Sequence, residues 1–541
     1  MPRRWLGCVP RWGLMGLAMF CAAESMWLLS IAWVAAQQPA GTGYLPPLSM
    51  DARYEDKKVV RDLMTSYRRV ISNATALDDP TRQVVQEYFQ EYLIKSLTRP
   101  ENFGNWQIER ARWSSDLARS QGRSPQLHDF LADLLFRQMQ PLVEQNHHPI
   151  IRVNAMLTIA DLNRQERGSG VTIATPWEAT LPYMRAQVQN PDQIDAVRIA
   201  ALSGILRHVE SYWVLNTQPA EDLVNGLTAE MLALVNDPPP ASRSADVHAW
   251  IQARALDILG SLAGWKPQPS MFQAMQKILV DSKAPIWLRV RAAYALSRVR
   301  YGDLADADKL DWPAAASGLA GLLADACRQE YDWLEREREK LRTASSAGVP
   351  GVPGVPGEPG LAGGGAMGVP PPPGEPGLAG GGAVGLPPPP GEMDAGGGIG
   401  FPASGMGGMM PYGPFGSASL LGGLPKYKVD GARRRLLYEL ACIKAALDGP
   451  APDAEVKGIK PLAGNHPAAG PVLQSIEKAL ADVEKAVTAK EPDVEAMLKT
   501  LRSRSQELEQ LRPQNQAQPA DSGNDSDVPS DIPPAVPGAG N

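Results

Sequence analysis

Ile151-Arg-Val-Asn-Ala-Met-Leu-Thr-Ile159 is the stretch on which the reading of this chain turns. Three later stretches align with it without a gap: Val197-Arg-Ile-Ala-Ala-Leu-Ser-Gly-Ile205, Ile251-Gln-Ala-Arg-Ala-Leu-Asp-Ile-Leu259 and Leu288-Arg-Val-Arg-Ala-Ala-Tyr-Ala-Leu296. The first position is always aliphatic, and the second is Arg152, Arg198, Gln252 or Arg289. The fifth is alanine every time (Ala155, Ala201, Ala255, Ala292), and the ninth is Ile159, Ile205, Leu259 or Leu296. Positions one, five and nine lie about four residues apart, on one side of an α-helix. An alanine in the middle of that side lets a second helix come close, which stacked helical pairs require.

The units recur every 37 to 54 residues. Each is preceded by another amphipathic stretch that can serve as its partner helix, at about 126–146, 176–188, 220–235 and 270–280. Thr175-Pro176-Trp177-Glu178 reads as a helix start, with Thr as N-cap, Pro at N1 and Glu at N3. Breaks such as Asn190-Pro191-Asp192 and Asp237-Pro238-Pro239-Pro240 separate the antiparallel helices. The aliphatic-Arg-x-x-Ala-x-x-x-Leu pattern resembles the second helix of HEAT repeats. The resemblance covers about residues 125–300 and, more loosely, 50–120 and 313–448, within a domain division of 51–122, 123–302, 303–343 and 425–448. It implies an all-α chain, an α-solenoid of antiparallel helix pairs. In that family an aspartate ahead of the second helix often pairs with the arginine. Asp195 and Asp281 are the counterparts offered for Arg198 and Arg289, and none is found for Arg152.

Outside the repeats, residues 51–99 read as two helices. Val59, Leu63, Tyr67 and Val70 share one face, and Asp79-Pro80 starts the second helix, with Val84, Tyr88, Phe89 and Tyr92 apolar. Residues 99–122, with Trp106 and Trp113, read as a loop with a short helix. A long helix at 313–342 and another at 429–447 frame a Gly/Pro-rich segment, residues 344–424, in which a seventeen-residue unit begins at Gly357 and again at Gly374. Its composition predicts a mobile loop, either a tolerated expansion or a recognition segment for a proline-binding partner. That loop interrupts one final hairpin, made of 303–343 and 425–448. Cys327 and Cys442 lie nearly equidistant from the interruption, so a disulfide between them is one reading and two buried thiols the other. Residues 449–512 supply a loop and a C-terminal helical hairpin, either a cap on the array or a coiled-coil element, and 513–541 read as a disordered tail.

The N-terminus carries Arg3, Arg4 and Arg11, then an apolar run to Ala35 and a small-residue site ending at Ala36. This is the pattern of a signal peptide over residues 1–36, with 37–50 as a linker. An uncleaved anchor is the alternative, and only it would tie the chain to a membrane; Glu24 opposes that reading. Cys21 lacks the small residue that lipid attachment requires, because Phe20 stands in its place. Cleavage takes away a net +2 and moves the charge from −6 to −8. Such a surface gives no reason to expect nucleic acid as a partner.

No nucleophile elbow, zinc-protease helix, phosphate loop or dinucleotide fingerprint occurs. The histidines are His128, His147, His148, His208, His248 and His466, and the only cluster, His147-His148, does not define a metal cage. No cofactor is expected. Arg433-Arg434-Arg435 reads as a solvated run or a contact for an anionic partner. Trp177, Trp213, Trp250, Trp265, Trp287 and Trp312 fall in or beside the repeat helices, as core or as a binding ridge. The leading expectation is an exported, non-catalytic scaffold for a protein partner. The alternatives are a structural cell-envelope component and an enzyme or enzyme subunit with an unrecognised site.

Overall fold

The computed structural model describes residues 43–346 and 420–512, apart from 169–170, 172, 216, 422–423, 451–455 and 491–492. The predicted signal segment, the Gly/Pro-rich stretch from 347 onward and the tail after Arg512 lie outside the described residues.

The described chain is helical nearly throughout. Its longer helices are α1 Lys57–Asn73, α2 Asp79–Gln86, α3 Trp106–Arg123, α4 Pro125–Glu144, α5 Pro149–Asp161, α6 Thr180–Gln189, α7 Asp195–Leu215 and α8 Glu221–Asn236. They continue with α9 Ala245–Ala263, α10 Pro269–Val280, α11 Ile286–Ser297, α12 Trp312–Ser346, α13 Lys426–Asp448, α14 Gly470–Thr488 and α15 Val494–Glu509. The starts follow local chemistry. Ser124 caps α4 through the Leu127 amide, His148 caps α5 through that of Ile150, and Ser244 caps α9 through that of Val247. Pro125, Pro149 and Pro269 occupy first-turn positions, where a missing N–H costs nothing.

The alanine pattern decides the packing. Ala155, Ala201, Ala255 and Ala292 are all completely buried, as are Ile159, Ile205, Leu259 and Leu296 at the ninth position. Consecutive helices pair as α4 with α5, α6 with α7, α8 with α9, α10 with α11 and α12 with α13. The second members also pack on one another in order, α5 on α7, α7 on α9, α9 on α11 and α11 on α13. That second-helix row is the most continuous seam of the molecule. Gly260 shows how tight it is: a Cβ there would lie 2.9 Å from the Ala295 Cα across the α9–α11 contact. The last helices, α14 and α15, fold back onto α12, where Ser505 donates to the Ala324 carbonyl at 2.9 Å.

Two expectations are corrected. Residues Trp106–Arg123 form a full eighteen-residue helix after a 3₁₀ turn, not a loop with a short one. Its face is built from Trp106, Trp113 and Leu117, so few apolar residues carry it and the periodicity is faint. Thr175 and Pro176 do not start a helix. They pair as β2 with β1, Asn163–Gln165, and the Trp177 amide donates to the Leu162 carbonyl at 3.0 Å. That pairing overrides the capping signal, and α6 begins at Thr180, whose hydroxyl donates to the Trp177 carbonyl at 2.7 Å.

Candidate binding face of the second-helix row

The second position of the repeat has one job in three of the four units. Arg152 Nε donates to the Val143 carbonyl at 3.1 Å, Gln252 Nε2 to that of Val235 at 3.0 Å and Arg289 Nε to that of Leu279 at 2.9 Å. Val143, Val235 and Leu279 are each the next-to-last residue of the preceding helix. Arg198 differs: it donates to the Asn190 and Pro191 carbonyls of the turn just past α6, at 2.7 and 3.0 Å. A helix leaves its last four carbonyls without intrahelical partners, and a cation there also suits the helix dipole. The side chain therefore locks the two helices of a pair together.

The same side chains reach the next pair. Arg152 Nη2 donates to Gln193 Oε1 at 2.5 Å, and Arg289 is paired with Asp325 of α12 at 2.5 Å. Asp195 meets Arg198 at 3.0 Å, as expected, and also binds Arg243 at 2.7 Å from the loop ahead of α9. Asp281 is not the partner of Arg289; it accepts from the Lys283 amide and shapes its own turn. The partner of Arg152 was missed because it is a neutral glutamine 41 residues away.

With the second helices packed side by side, equivalent positions meet. The residues just ahead of the repeat's first position are Ile150, Ala196, Trp250 and Trp287. The Trp250 and Trp287 rings lie 4.8 Å apart, and Trp287 is 37% exposed. Residues four, seven and eleven positions further along share this face. On α9 they are Arg254, Asp257 and Ser261; on and just past α11 they are Arg291, Tyr294 and Arg298. Asp257 lies 3.4 Å from Arg254 and 3.7 Å from Arg291. Arg298 reaches Glu210 of α7 at 3.1 Å, past the intervening α9. Tyr438 and Cys442 of α13 close on Arg291 from the other side. Arg254 and Asp257 of α9 are buried. The polar centre is ion-paired, while the tryptophan end stands open. The signal for this face was in the sequence, two tryptophans at one repeat position, but its meaning depends on the register between helices.

The cysteine staple is absent. Cys327 on α12 and Cys442 on α13 are both free thiols. Burial pushes each of them up to about 12, and the nearby Glu439 adds to both. The thiolate needed to attack a disulfide partner is therefore suppressed. Burial, the neighbouring Glu330 and, in opposition, Arg435 set the Glu439 carboxyl, which rises to about 7. Glu330 itself is buried and held by Arg435 through two bonds at 2.7 and 2.8 Å.

The remaining sequence candidates are engaged internally. Arg435, though exposed, serves Glu330, Arg433 donates to the Ala489 carbonyl at 2.8 Å, and Arg434 is exposed. His148 caps α5 and stacks on Phe103 at 4.7 Å. His147 beside it is buried, and that burial lowers its pKa. Burial takes His208 down to about 3, with its Nε2 2.9 Å from the Thr180 hydroxyl. Among the described residues, no group of three or more His, Cys, Asp or Glu side chains is placed to hold a metal ion. Trp213 packs against Trp265 with tilted rings 4.7 Å apart, and Trp312 is buried against Phe272 and Tyr301. Among the described residues no helix is long and apolar enough to cross a membrane. In comparison with known proteins, no family model, no curated protein and no solved structure matches this chain.

Proposed function

We propose that this chain is an exported, HEAT-like α-solenoid that binds a protein partner on its second-helix row and performs no catalysis. One observation carries the reading: the unbroken order α5, α7, α9, α11, α13, in which equivalent side chains stand side by side. A row of this kind offers an extended curved surface, and its exposed anchor is the Trp250–Trp287 pair. Aromatic side chains of this sort dominate binding energy when a partner buries them. The paired charges behind the tryptophans fix the shape of the surface without presenting an unpaired ion. Export rests on the Arg3–Ala36 pattern, and a cleaved N-terminus at Gln37 is the form that acts.

The test is affinity capture of the tagged full-length chain from its cells of origin, with wild type and Trp287→Glu compared side by side. Wild type should retain a stoichiometric protein that Trp287→Glu releases, with the helical circular dichroism of both unchanged. Equal recovery by the two chains would remove the row from the binding reaction.

A further inference from the structure

The helices ahead of the row hold a cleft of about 480 Å³, lined by Tyr54, Val60, Arg61, Met64, Arg68 and Tyr92, with Lys57 and Glu55 at its rim. Its size falls in the range of ligand sites. Tyr54 and Tyr92 form one wall, their rings 5.7 Å apart, and Tyr54 is fixed by donating to Glu87 Oε1 at 3.1 Å. Tyr92 belongs to a π-helical segment, Glu87–Leu93, and such segments concentrate at functional sites. The floor is α1. Lys57, Arg61 and Arg68 are all exposed, and none is in an ion pair with any described residue. Arg68 acts at longer range on Glu109 and Asp116, which have Arg112 closer at hand. Three available cations thus face one lining carboxylate, Glu55.

We propose that this cleft binds an extended acidic peptide segment of a partner protein. The spacing selects an extended chain. On a helix rising 1.5 Å per residue, Lys57 and Arg61 are about 6 Å apart along the axis and Arg68 about 10 Å further. An extended peptide with acidic residues at alternate positions presents carboxylates about 6.6 Å apart on one face. Two such steps stay within reach of the long arginine side chains. Met64, Val60 and the tyrosine rings cover the apolar stems of the peptide. A single small anion would leave most of this cationic line unused. The site stands on α1 and the π-helical wall, so it does not rest on the reading of the second-helix row.

The test uses the full-length chain and a fluorescein-labelled Glu-Ala-Glu-Ala-Glu-Ala-Glu peptide, followed by fluorescence anisotropy. Binding should saturate, weaken as salt is raised and fall at least tenfold in Arg61→Glu/Arg68→Glu. A Gln-for-Glu peptide should not bind. The control Arg434→Glu/Lys499→Glu changes the net charge equally at exposed positions elsewhere and should bind as wild type does. No saturable binding, equal binding by Arg61→Glu/Arg68→Glu, or equal loss in the control would each overturn the assignment. The last would mean attraction to overall charge, not to the cleft.

Discussion

The helices before Ser124 and those after it bury their interiors in opposite ways. In the first region large rings do the work. Tyr67 stacks on Tyr88 with ring centroids 4.0 Å apart, Phe89 meets both edge-on, and Trp106 and Trp113 complete the cluster. In the second region a buried alanine sits at the centre of every seam, and polar side chains tie the helix ends. An aromatic cluster is a one-off solution whose pieces fit only each other. An alanine seam can be copied, because each helix presents the same small residue to the next. The repeat is therefore visible in the second region and absent from the first.

Breaking the aromatic cluster should have the largest effect. Trp106 is fully buried and donates its indole N–H to the Leu97 carbonyl at 3.0 Å. Trp106→Ala is expected to cost about 3–5 kcal/mol. Hydrogen exchange should show the loss in α1–α3 with the row largely protected; equal deprotection everywhere would mean that the two regions form one cooperative unit.

In the seam, Arg289→Ala removes both the cap on Leu279 and a partner of Asp325. A cost of about 2 kcal/mol is expected, because the charge-assisted bonds of a buried guanidinium are lost while Asp325 keeps Arg512 and Arg328. Urea unfolding measures it, and Gln252→Ala sharpens the comparison. Gln252 caps a carbonyl without an ion pair and should cost about 1 kcal/mol.

Overpacking comes next. Ala255→Leu should cost about 2 kcal/mol by forcing α9 away from its neighbours. A thermal midpoint equal to that of wild type would show that the seam has slack.

A pH-dependent effect concerns α12 and α13. The folded value of Glu439, about 7, lies above its ordinary one, so between about pH 4.5 and 7 the native state holds a proton that the unfolded state has lost. Stability from this group is present at the acid end of that window and falls as pH rises through it. Half-buried as it is, Glu439 should contribute on the order of 1–2 kcal/mol. Glu439→Gln should flatten the decline measured between pH 5.5 and 8. An unchanged slope would assign the decline to other groups.

Much of the architecture was legible in particular residues. The aliphatic and alanine positions named the second helices and their buried side, and Asp79-Pro80 marked the start of α2, because these are local choices of hydrophobic period and helix-start chemistry. α3 was not legible, since Trp106 and Trp113 carry its face with little apolar support around them. The strand at Thr175–Pro176 was misread because its competitor, the Leu162 carbonyl, comes from another part of the chain. The alternating Trp250 and Trp287 were visible as residues but not as a contact.

By itself, then, the sequence determined the helical class, the repeat period and the second position as a polar residue at the start of each second helix. The tertiary structure alone decided what those residues meet. Arg289 turns from Asp281 to Asp325, Arg152 finds Gln193, and the two thiols remain apart as thiols. The physical reason is range. Helix periodicity and capping act within about a turn of the chain, whereas charge partners and ring contacts are chosen by whichever helix the packing brings alongside.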